Sequence, residues 1–361
     1  MDYFKNVQLD WLKDRTIFLS KHGSHAYGMN TEFSDLDIRG VAVPPKEYYF
    51  GYLKKFEQCE SKVEELNLDL VVFDITKFIK LCSDGNPNAL EILFTDPSDH
   101  IIVTKTGQKL LDNKNLFLSK KIKHTLSGYA YAQLQRIIRH KSWLMNPILI
   151  EPTREQFGLV AELSDKDKQK FDIAFAMIKK QIAAWTLDFE PLNESDRIEV
   201  ENKIAYTLTE MQITSDTQFN AAARTIGFND NFINLLDKER AHASAKTQWK
   251  QYNQWVSSRN PKRAILEEKS GYDTKHASHL VRLLTMCAQV LETGNFQVKR
   301  PDAEFLLSIR NGAWSYEQLL EFSETQNKLC EKLYFESNIL PKEPNRKGIE
   351  KLCIEVIEEM I

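Results

Sequence analysis

Residues 21–41 of the chain read KHGSHAYGMNTEFSDLDIRGV, and this stretch limits the folds that the N-terminal part can adopt. It combines a Gly23-Ser24 pair, a second glycine at Gly28, and the aspartates Asp35 and Asp37, which are one residue apart. The β-branched and aromatic run RTIFLS precedes it, and LDIRGV begins a second such run. The pattern therefore predicts a strand, a glycine turn, a short helix and a second strand that starts with two carboxylates.

Paired carboxylates at this spacing indicate a cation site. Side chains two positions apart on a strand project from the same face, so Asp35 and Asp37 are expected to converge. Adjacent carboxylates repel each other unless a cation lies between them. A site with few protein oxygens suits Mg²⁺, or Mn²⁺ in its place, because Mg²⁺ takes its other ligands from phosphate and water. The expected chemistry is metal-assisted attack of a hydroxyl on a phosphate of a nucleoside triphosphate (NTP).

A third carboxylate is expected from the strand LNLDLVVFDI, residues 66–75. Asp69 lies between apolar residues, where an aspartate without a partner would be costly. Asp74 stands beside Thr76, where capping the next helix suits it better, so Asp69 is the favoured metal ligand. The backbone of Gly23 and the Ser24 hydroxyl are expected to hold the phosphates. A Gly-Ser pair alone is usually a turn and an Asp-x-Asp pair a solvated loop; their combination indicates a catalytic site.

The order of patterns along the chain predicts an α+β protein. A small mixed sheet with helices is expected over residues 1–112, and a larger, mainly helical region for substrate binding over residues 113–361. The 361 residues are 42% hydrophobic and 27% charged, as in a globular protein with a core. The net charge of −3 excludes general attraction to nucleic acid but allows a local basic groove.

The distribution of cysteines and the hydropathy of the chain indicate the cellular compartment in which the protein is expected. The five cysteines are scattered and form no CxxC pair, which favours a reducing environment over a disulfide framework or a zinc site. The N-terminal segment is charged, and no run has the length and apolar character of a membrane span. A cytoplasmic protein without a membrane partner is expected, and no obligate protein partner is inferred.

A second constellation lies in a helix predicted between Asp273 or Thr274, as N-cap, and Gly294, as the C-terminal stop. Lys275, His279 and Arg282 share one face at spacing i, i+4, i+7. This face is either a solvated basic surface or a phosphate-binding surface, and Arg39, on the same strand face as Asp37, has the same two alternatives. Likewise, His276 and Tyr272 are either packed residues or part of a site.

The chain resembles the RlaP family (RNA-repair pathway, ligase-associated) of bacterial and phage DNA polymerase β-like nucleotidyltransferases. The resemblance rests on GSHAYG and SDLDIRGV, on NPNALEILF (86–94) and on GYDTKHASHLVRLL (271–284). The superfamily signature is a Gly-Ser pair, a short helix, an Asp-x-Asp pair and a later strand carboxylate. Its positions correspond here to Gly23, Ser24, Gly28, Asp35, Asp37 and Asp69. The resemblance implies Mg²⁺-dependent transfer of a nucleoside monophosphate from an NTP to a hydroxyl, with release of pyrophosphate.

A basic cluster in QLQRIIRHKSW, residues 133–143, is the candidate for acceptor binding. Arg136, Arg139, His140 and Lys141 lie beside Trp143, a composition that suits a phosphate backbone and a stacked base. A solvated helix face is the alternative. The family's name makes an RNA or tRNA end the expected acceptor of template-independent transfer. A protein side chain or a small molecule is the alternative acceptor, and a binding module with a decayed site is the third possibility.

Overall fold

The computed structural model describes residues 3–32, 34–185 and 215–361. The N-terminal elements are, in chain order, α1 (Leu12–Arg15), β1 (Thr16–Lys21), α2 (Gly23–Ala26), β2 (Leu36–Ala42), α3 (Glu47–Phe50), β3 (Gln58–Val63), β4 (Leu68–Asp74), α4 (Ile75–Ser83), α5 (Pro87–Leu93), β5 (His100–Val103) and α6 (Lys105–Asp112). The described helices that follow are α7 (Ile122–Met145), α8 (Asp165–Trp185), α9 (Ser215–Thr225), α10 (Asp230–Ser258), α11 (Pro261–Ser270), α12 (Thr274–Thr293), α13 (Ala303–Arg310), α14 (Tyr316–Glu336) and α15 (Arg346–Glu358). A small sheet region followed by a larger helical one confirms the α+β prediction.

The five strands form one mixed sheet in the order β3-β4-β2-β1-β5. β2 and β4 are parallel neighbours, whereas the other three pairings are antiparallel. Asp37 on β2 is the register partner of Asp69 on β4. The parallel pairing thus places the two predicted carboxylate positions side by side.

Alternation along the two central strands determines which face carries the carboxylates. On β4, the buried Leu68, Leu70 and Val72 belong to one core, which also contains Ile38 and Ala42 of β2. The intervening residues therefore face the opposite side, where Val41 and Phe73 pack into the larger core with the helices. Asp37 and Asp69 share that helix-covered side of the sheet.

Two compact units divide the described chain. One comprises Met1–His140 and Leu266–Ile361, and the other comprises Lys141–Ile265. The expected boundary between residues 112 and 113 falls inside the first unit, because α12 contributes Leu280, Val281 and Cys287 to the core that includes Val41 of the sheet. Residues 186–214 of the predicted helical region lie outside the described residues.

The second unit has its own apolar core among α8, α9 and α10. Its fully buried members include Ile178, Ala222 and Leu236. A bidentate ion pair between Arg154 and the buried Glu239 adds a polar tie within this unit. None of the helices in the described ranges combines the length and the apolar character that crossing a bilayer requires.

Candidate active site

The acidic cluster is built at the start of the two parallel strands. Asp37 and Asp69 are direct partners in the register, and Asp35 lies one residue before β2. Asp35 is exposed, and its carboxylate accepts a hydrogen bond from the side-chain amide of Asn67. Asn67 adopts the left-handed conformation (φ 46°) immediately before β4, so it ties Asp35 to the strand that carries Asp69. Asn67 carried no signal in the sequence.

The electrostatics of Asp37 fit a cation site. Burial raises the pKa of Asp37, the guanidinium of Arg39 lowers it, and the charges of Asp69 and Asp35 raise it further. Asp69 and Asp35 are thus close enough to disfavour the ionisation of Asp37, and a bound divalent cation would remove this repulsion. An all-oxygen donor set from three aspartates matches the preference of Mg²⁺, so the residues fit the metal that the sequence predicts.

Arg39 lies among the carboxylates. Its guanidinium is 3.1 Å from Asp37 Oδ1 and 3.6 Å from Asp69 Oδ2, and it donates to the Asp69 carbonyl oxygen at 2.7 Å. The sequence offered a surface arginine or a phosphate contact for this residue. Its contacts in the structure are to the two aspartates, whose mutual repulsion it reduces.

The glycine turn is in contact with the same carboxylates. Gly23 has φ +59°, and a Cβ atom there would lie 2.2 Å from Asp37 Oδ2. The N–H of His22 donates to the Asp37 carbonyl oxygen at 2.7 Å. Ser24 follows in the helical turn α2 and is half-buried. The Gly-Ser turn therefore packs directly on Asp37, the predicted metal ligand, and a side chain at position 23 would have to displace the Asp37 carboxylate.

A cavity of about 740 Å³ is lined by the predicted face of α12. Lys275, His279 and Arg282 all line it, together with Arg136 of α7 and Tyr27, which follows the Gly-Ser turn. The charge of Lys275 lowers the pKa of Asp37, so this side chain acts on the acidic cluster. The structure thus brings the helix face and the aspartates, more than 200 positions apart in sequence, into one region.

Arg282 differs from the solvated basic residue that the sequence allowed. It is 5% exposed, pairs with the buried Glu91, and stacks on Tyr27 with its guanidinium carbon 3.8 Å from the ring centroid. The Tyr27 hydroxyl also donates to Glu91. These contacts hold much of the Arg282 guanidinium in the protein interior. Sequence reasoning missed Glu91, although a lone acid inside the apolar helix NPNALEILF was the available signal.

Histidines around this network are held neutral. Burial lowers the pKa of His22 to about 4, with Arg39 and Arg282 acting in the same direction and Glu91, 3.8 Å away, opposing. Burial also lowers the pKa of His279 well below its ordinary value, and Arg282 and Lys275 reinforce the effect. The cavity wall therefore presents its positive charge through lysine and arginine rather than through histidine.

The basic residues of the stretch 133–143 have different surroundings. Arg136 lines the cavity, Arg139 is exposed, and His140 bonds Asp273 at 3.1 Å. Lys141 belongs to the second compact unit. Trp143 is 6% exposed and packs on Trp255 with ring centroids 5.5 Å apart, so its predicted role beside a stacked base is wrong.

Three other side chains predicted near the site have structural roles. Tyr272 is fully buried and donates its hydroxyl to the Trp314 carbonyl oxygen, as expected for a packed residue. Asp273 caps α12 by accepting from the His276 N–H, and Gly294 ends that helix, as predicted. Asp74 accepts from the N–H groups of Thr76 and Lys77 and caps α4, which also agrees with the sequence.

Comparison with known proteins identifies the N-terminal region. Residues 5–148 match the model of RlaP, described as the RNA repair pathway DNA polymerase beta family. A relative in Enterobacteria phage T4, the "Uncharacterized 38.9 kDa protein in nrdC-mobD intergenic region", is 25% identical over 328 residues, covering 86% of this chain and 87% of that protein. "Uncharacterized protein YcgL" of Bacillus subtilis (strain 168) is 32% identical over 82 residues, covering 23% of this chain and 31% of that one.

No solved structure matches the chain. The family match covers the sheet, the Gly-Ser turn and all three aspartates, and the phage relative extends the similarity over most of the chain. RlaP is a family of polymerase β-like nucleotidyltransferases, in agreement with the carboxylate geometry. Over residues 5–148 the chain is therefore similar to the RlaP family, the RNA repair pathway DNA polymerase beta family.

Proposed function

We propose that this protein is a Mg²⁺-dependent, template-independent nucleotidyltransferase that adds a nucleoside monophosphate from an NTP to an RNA end, with a tRNA end as the first candidate. One observation carries the proposal. Asp37 and Asp69 are register partners on parallel strands, and the Gly23 backbone lies directly against the Asp37 carboxylate. This arrangement joins a carboxylate cluster to a turn that a phosphate can approach closely.

The proposed reaction forms one bond and breaks one. The acceptor hydroxyl oxygen bonds to the α-phosphorus, the bond between that phosphorus and the α,β-bridging oxygen breaks, and pyrophosphate leaves with the electron pair. Mg²⁺ or Mn²⁺, held by Asp35, Asp37 and Asp69, would neutralise phosphate charge and orient the attacking oxygen. The hydroxyl proton passes to Asp69, whose side chain is more exposed than that of Asp37 (36% against 29%) and can release it to water.

Cations around the cavity support an anionic substrate. Lys275 acts on the acidic cluster and also lines the cavity, where Arg136 adds a second positive charge. We assign the NTP phosphates to the Gly23-Ser24 turn and Lys275, and an RNA phosphate to Arg136. Arg139, exposed on the same helix, is an additional candidate for RNA contact. Arg282, paired with Glu91, is assigned to shaping the cavity wall.

A labelling assay tests the proposal. The purified chain is incubated with Mg²⁺ or Mn²⁺ and each α-labelled NTP, with bulk tRNA, a panel of small molecules, or no added acceptor. We expect label in RNA. Asp37→Asn, which keeps the side-chain shape but removes the charge, should reduce transfer at least about 100-fold, as loss of an electrostatic catalytic group does.

The matched control is Asp14→Asn, a change at an exposed aspartate outside the site, which should leave transfer unchanged. Label in the protein itself or in a small molecule would overturn the RNA assignment while keeping the chemistry. Absence of label with every acceptor and metal, or full activity of Asp37→Asn, would overturn the nucleotidyltransferase assignment for this chain.

A further inference from the structure

A second cluster of potential metal ligands lies apart from the aspartates. His140 of α7 meets Asp273 and His276 at the start of α12, within one compact unit. His140 Nδ1 is 3.1 Å from Asp273 Oδ2, and His276 Nε2 is 3.5 Å from the same oxygen. The three ligand atoms all lie within 4.8 Å of one another. Two histidines and one carboxylate thus bring potential ligand atoms close together.

The hydrogen bonds around the cluster orient its ligand atoms. Asp273 Oδ1 accepts the His276 backbone N–H at 3.0 Å, which leaves Oδ2 facing the two imidazoles. His276 Nδ1 is 2.6 Å from Gln133 Oε1, so Nδ1 must donate. A neutral imidazole has only one N–H, and its Nε2 therefore carries a lone pair. That lone pair faces the Asp273 oxygen, and a cation between them satisfies both acceptors.

We propose that His140, Asp273 and His276 bind a transition-metal ion of the Zn²⁺ type. Metal–ligand distances of about 2.0–2.1 Å in a tetrahedron separate neighbouring ligands by roughly 3.3–3.4 Å. The distances from Asp273 Oδ2 to His140 Nδ1 and His276 Nε2, 3.1 and 3.5 Å, lie on either side of this value. Two imidazoles and a carboxylate suit zinc and its first-row neighbours, whereas Mg²⁺ favours oxygen. Gln133 acts as the outer partner that fixes the His276 tautomer.

The site has room for an exchangeable ligand. Three protein ligands leave the fourth tetrahedral position for water or substrate. His276 and Gln133 line the cavity together with Arg136 and Lys275, so the fourth ligand comes from the cavity side. The two cations favour an anion there, and a phosphate oxygen is the ligand class that the site takes. This inference does not depend on nucleotidyl transfer at the aspartates.

Cobalt binding tests the site, because tetrahedral Co²⁺ has a visible absorption spectrum. The full chain carrying Asp35→Asn and Asp37→Asn, which remove competing carboxylates, is freed of metal with a chelator and titrated with Co²⁺. We expect one tetrahedral Co²⁺ per chain, displaced by Zn²⁺. His140→Ala and His276→Ala should abolish the spectrum, and Gln133→Leu should weaken binding about 10–100-fold, as for other outer partners.

Two further variants separate ligation from folding. Asp273→Asn keeps a good helix cap but removes the anionic ligand, so it should lose Co²⁺ while thermal unfolding stays close to that of the parent. His279→Gln alters another cavity histidine outside the cluster and should keep the spectrum. No Co²⁺ or Zn²⁺ binding by the parent, or binding unchanged by both histidine variants, would overturn the proposal.

Inorganic phosphate tests the fourth position. We expect added phosphate to shift the Co²⁺ spectrum, because it replaces water on the metal. An unchanged spectrum at saturating phosphate would contradict an exchangeable fourth ligand on the metal.

Discussion

Gly23 shows how closely one residue can constrain the centre that we propose to be catalytic. A methyl group there would overlap Asp37 Oδ2, and the backbone has φ +59°. Gly23→Ala should therefore displace the carboxylate and reduce transfer on the order of 100-fold, the usual effect of a misplacement near 1 Å. Transfer rates and thermal unfolding of the purified variant measure both effects.

Gly28 provides the control for Gly23. It also has a positive φ, +74°, but a Cβ atom there would lie 3.8 Å from its nearest neighbour. Gly28→Ala should therefore lose only the roughly 1–2 kcal/mol that a left-handed alanine costs, and keep its activity. Equal transfer by the two alanine variants would show that Gly23 does not position Asp37.

The buried pair of Glu91 and Arg282 is a second case at the scale of the residue. Glu91→Gln leaves the Arg282 charge buried without its partner, so we expect the free energy of unfolding to fall by about 3–5 kcal/mol. In the double variant Glu91→Gln/Arg282→Met the unpaired charge is gone, and most of the loss should be recovered. Urea denaturation of the single and double variants measures the coupling. Additive losses would contradict a structural ion pair.

At the scale of the element, two aspartates on β4 have different roles: Asp69 belongs to the proposed active site, and Asp74 stabilises the fold. Asp69 faces the acidic cluster from the start of β4, whereas Asp74, at its end, caps α4 and accepts from the Tyr49 hydroxyl at 3.1 Å. Asp74→Ala should lower the free energy of unfolding by about 1–2 kcal/mol and keep transfer activity. Asp69→Ala should abolish transfer and leave the stability of the metal-free protein unchanged or raised. The same pattern in both variants would contradict this division of roles.

The sequence predicts the elements whose signals are local. The strands β1, β2 and β4 have regular apolar runs. Helix-capping residues such as Asp74 and Asp273 lie within three residues of the backbone N–H groups from which they accept hydrogen bonds. The strands β3 and β5 were missed. β3 reads QCESKV, too polar to stand out, and β5 has only four residues. β3 forms by pairing with β4, and β5 forms by pairing with β1. A local sequence pattern does not reveal such pairing.

Long-range contacts explain the parts of the site that the sequence could not predict. The Lys275 face could be identified from helical spacing, but its position near Asp37 depends on packing between α12 and the rest of the core. The pairings of Glu91 with Arg282 and of His140 with Asp273 join residues 191 and 133 positions apart. A residue of a given type can pair with many others, and its actual partner is determined by the packing of the folded chain.

At the scale of the whole molecule, buried histidines make stability depend on pH. The folded protein lowers the pKa of His22 from 6.5 to about 4 through burial, and that of His279 in the same direction. Between these pH values the unfolded chain binds protons that the folded chain does not, so the free energy of unfolding falls as pH falls. For His22 alone the loss from pH 6.5 to 4 should be about 3 kcal/mol, because one pKa unit corresponds to about 1.4 kcal/mol.

Replacing His22 isolates this contribution. Burial raises the pKa of Asp37 and Asp74, and this effect makes the folded protein more stable as pH falls. The pH dependence of the wild-type free energy of unfolding therefore combines the contributions of several groups. His22→Gln has no titrating ring, and its free energy of unfolding should fall less steeply than the wild type's between pH 6.5 and 4, whatever its absolute stability. Urea denaturation in the presence of a chelator, repeated across this range, measures both slopes without a metal contribution. Parallel slopes would mean that His22 already takes up its proton in the folded state.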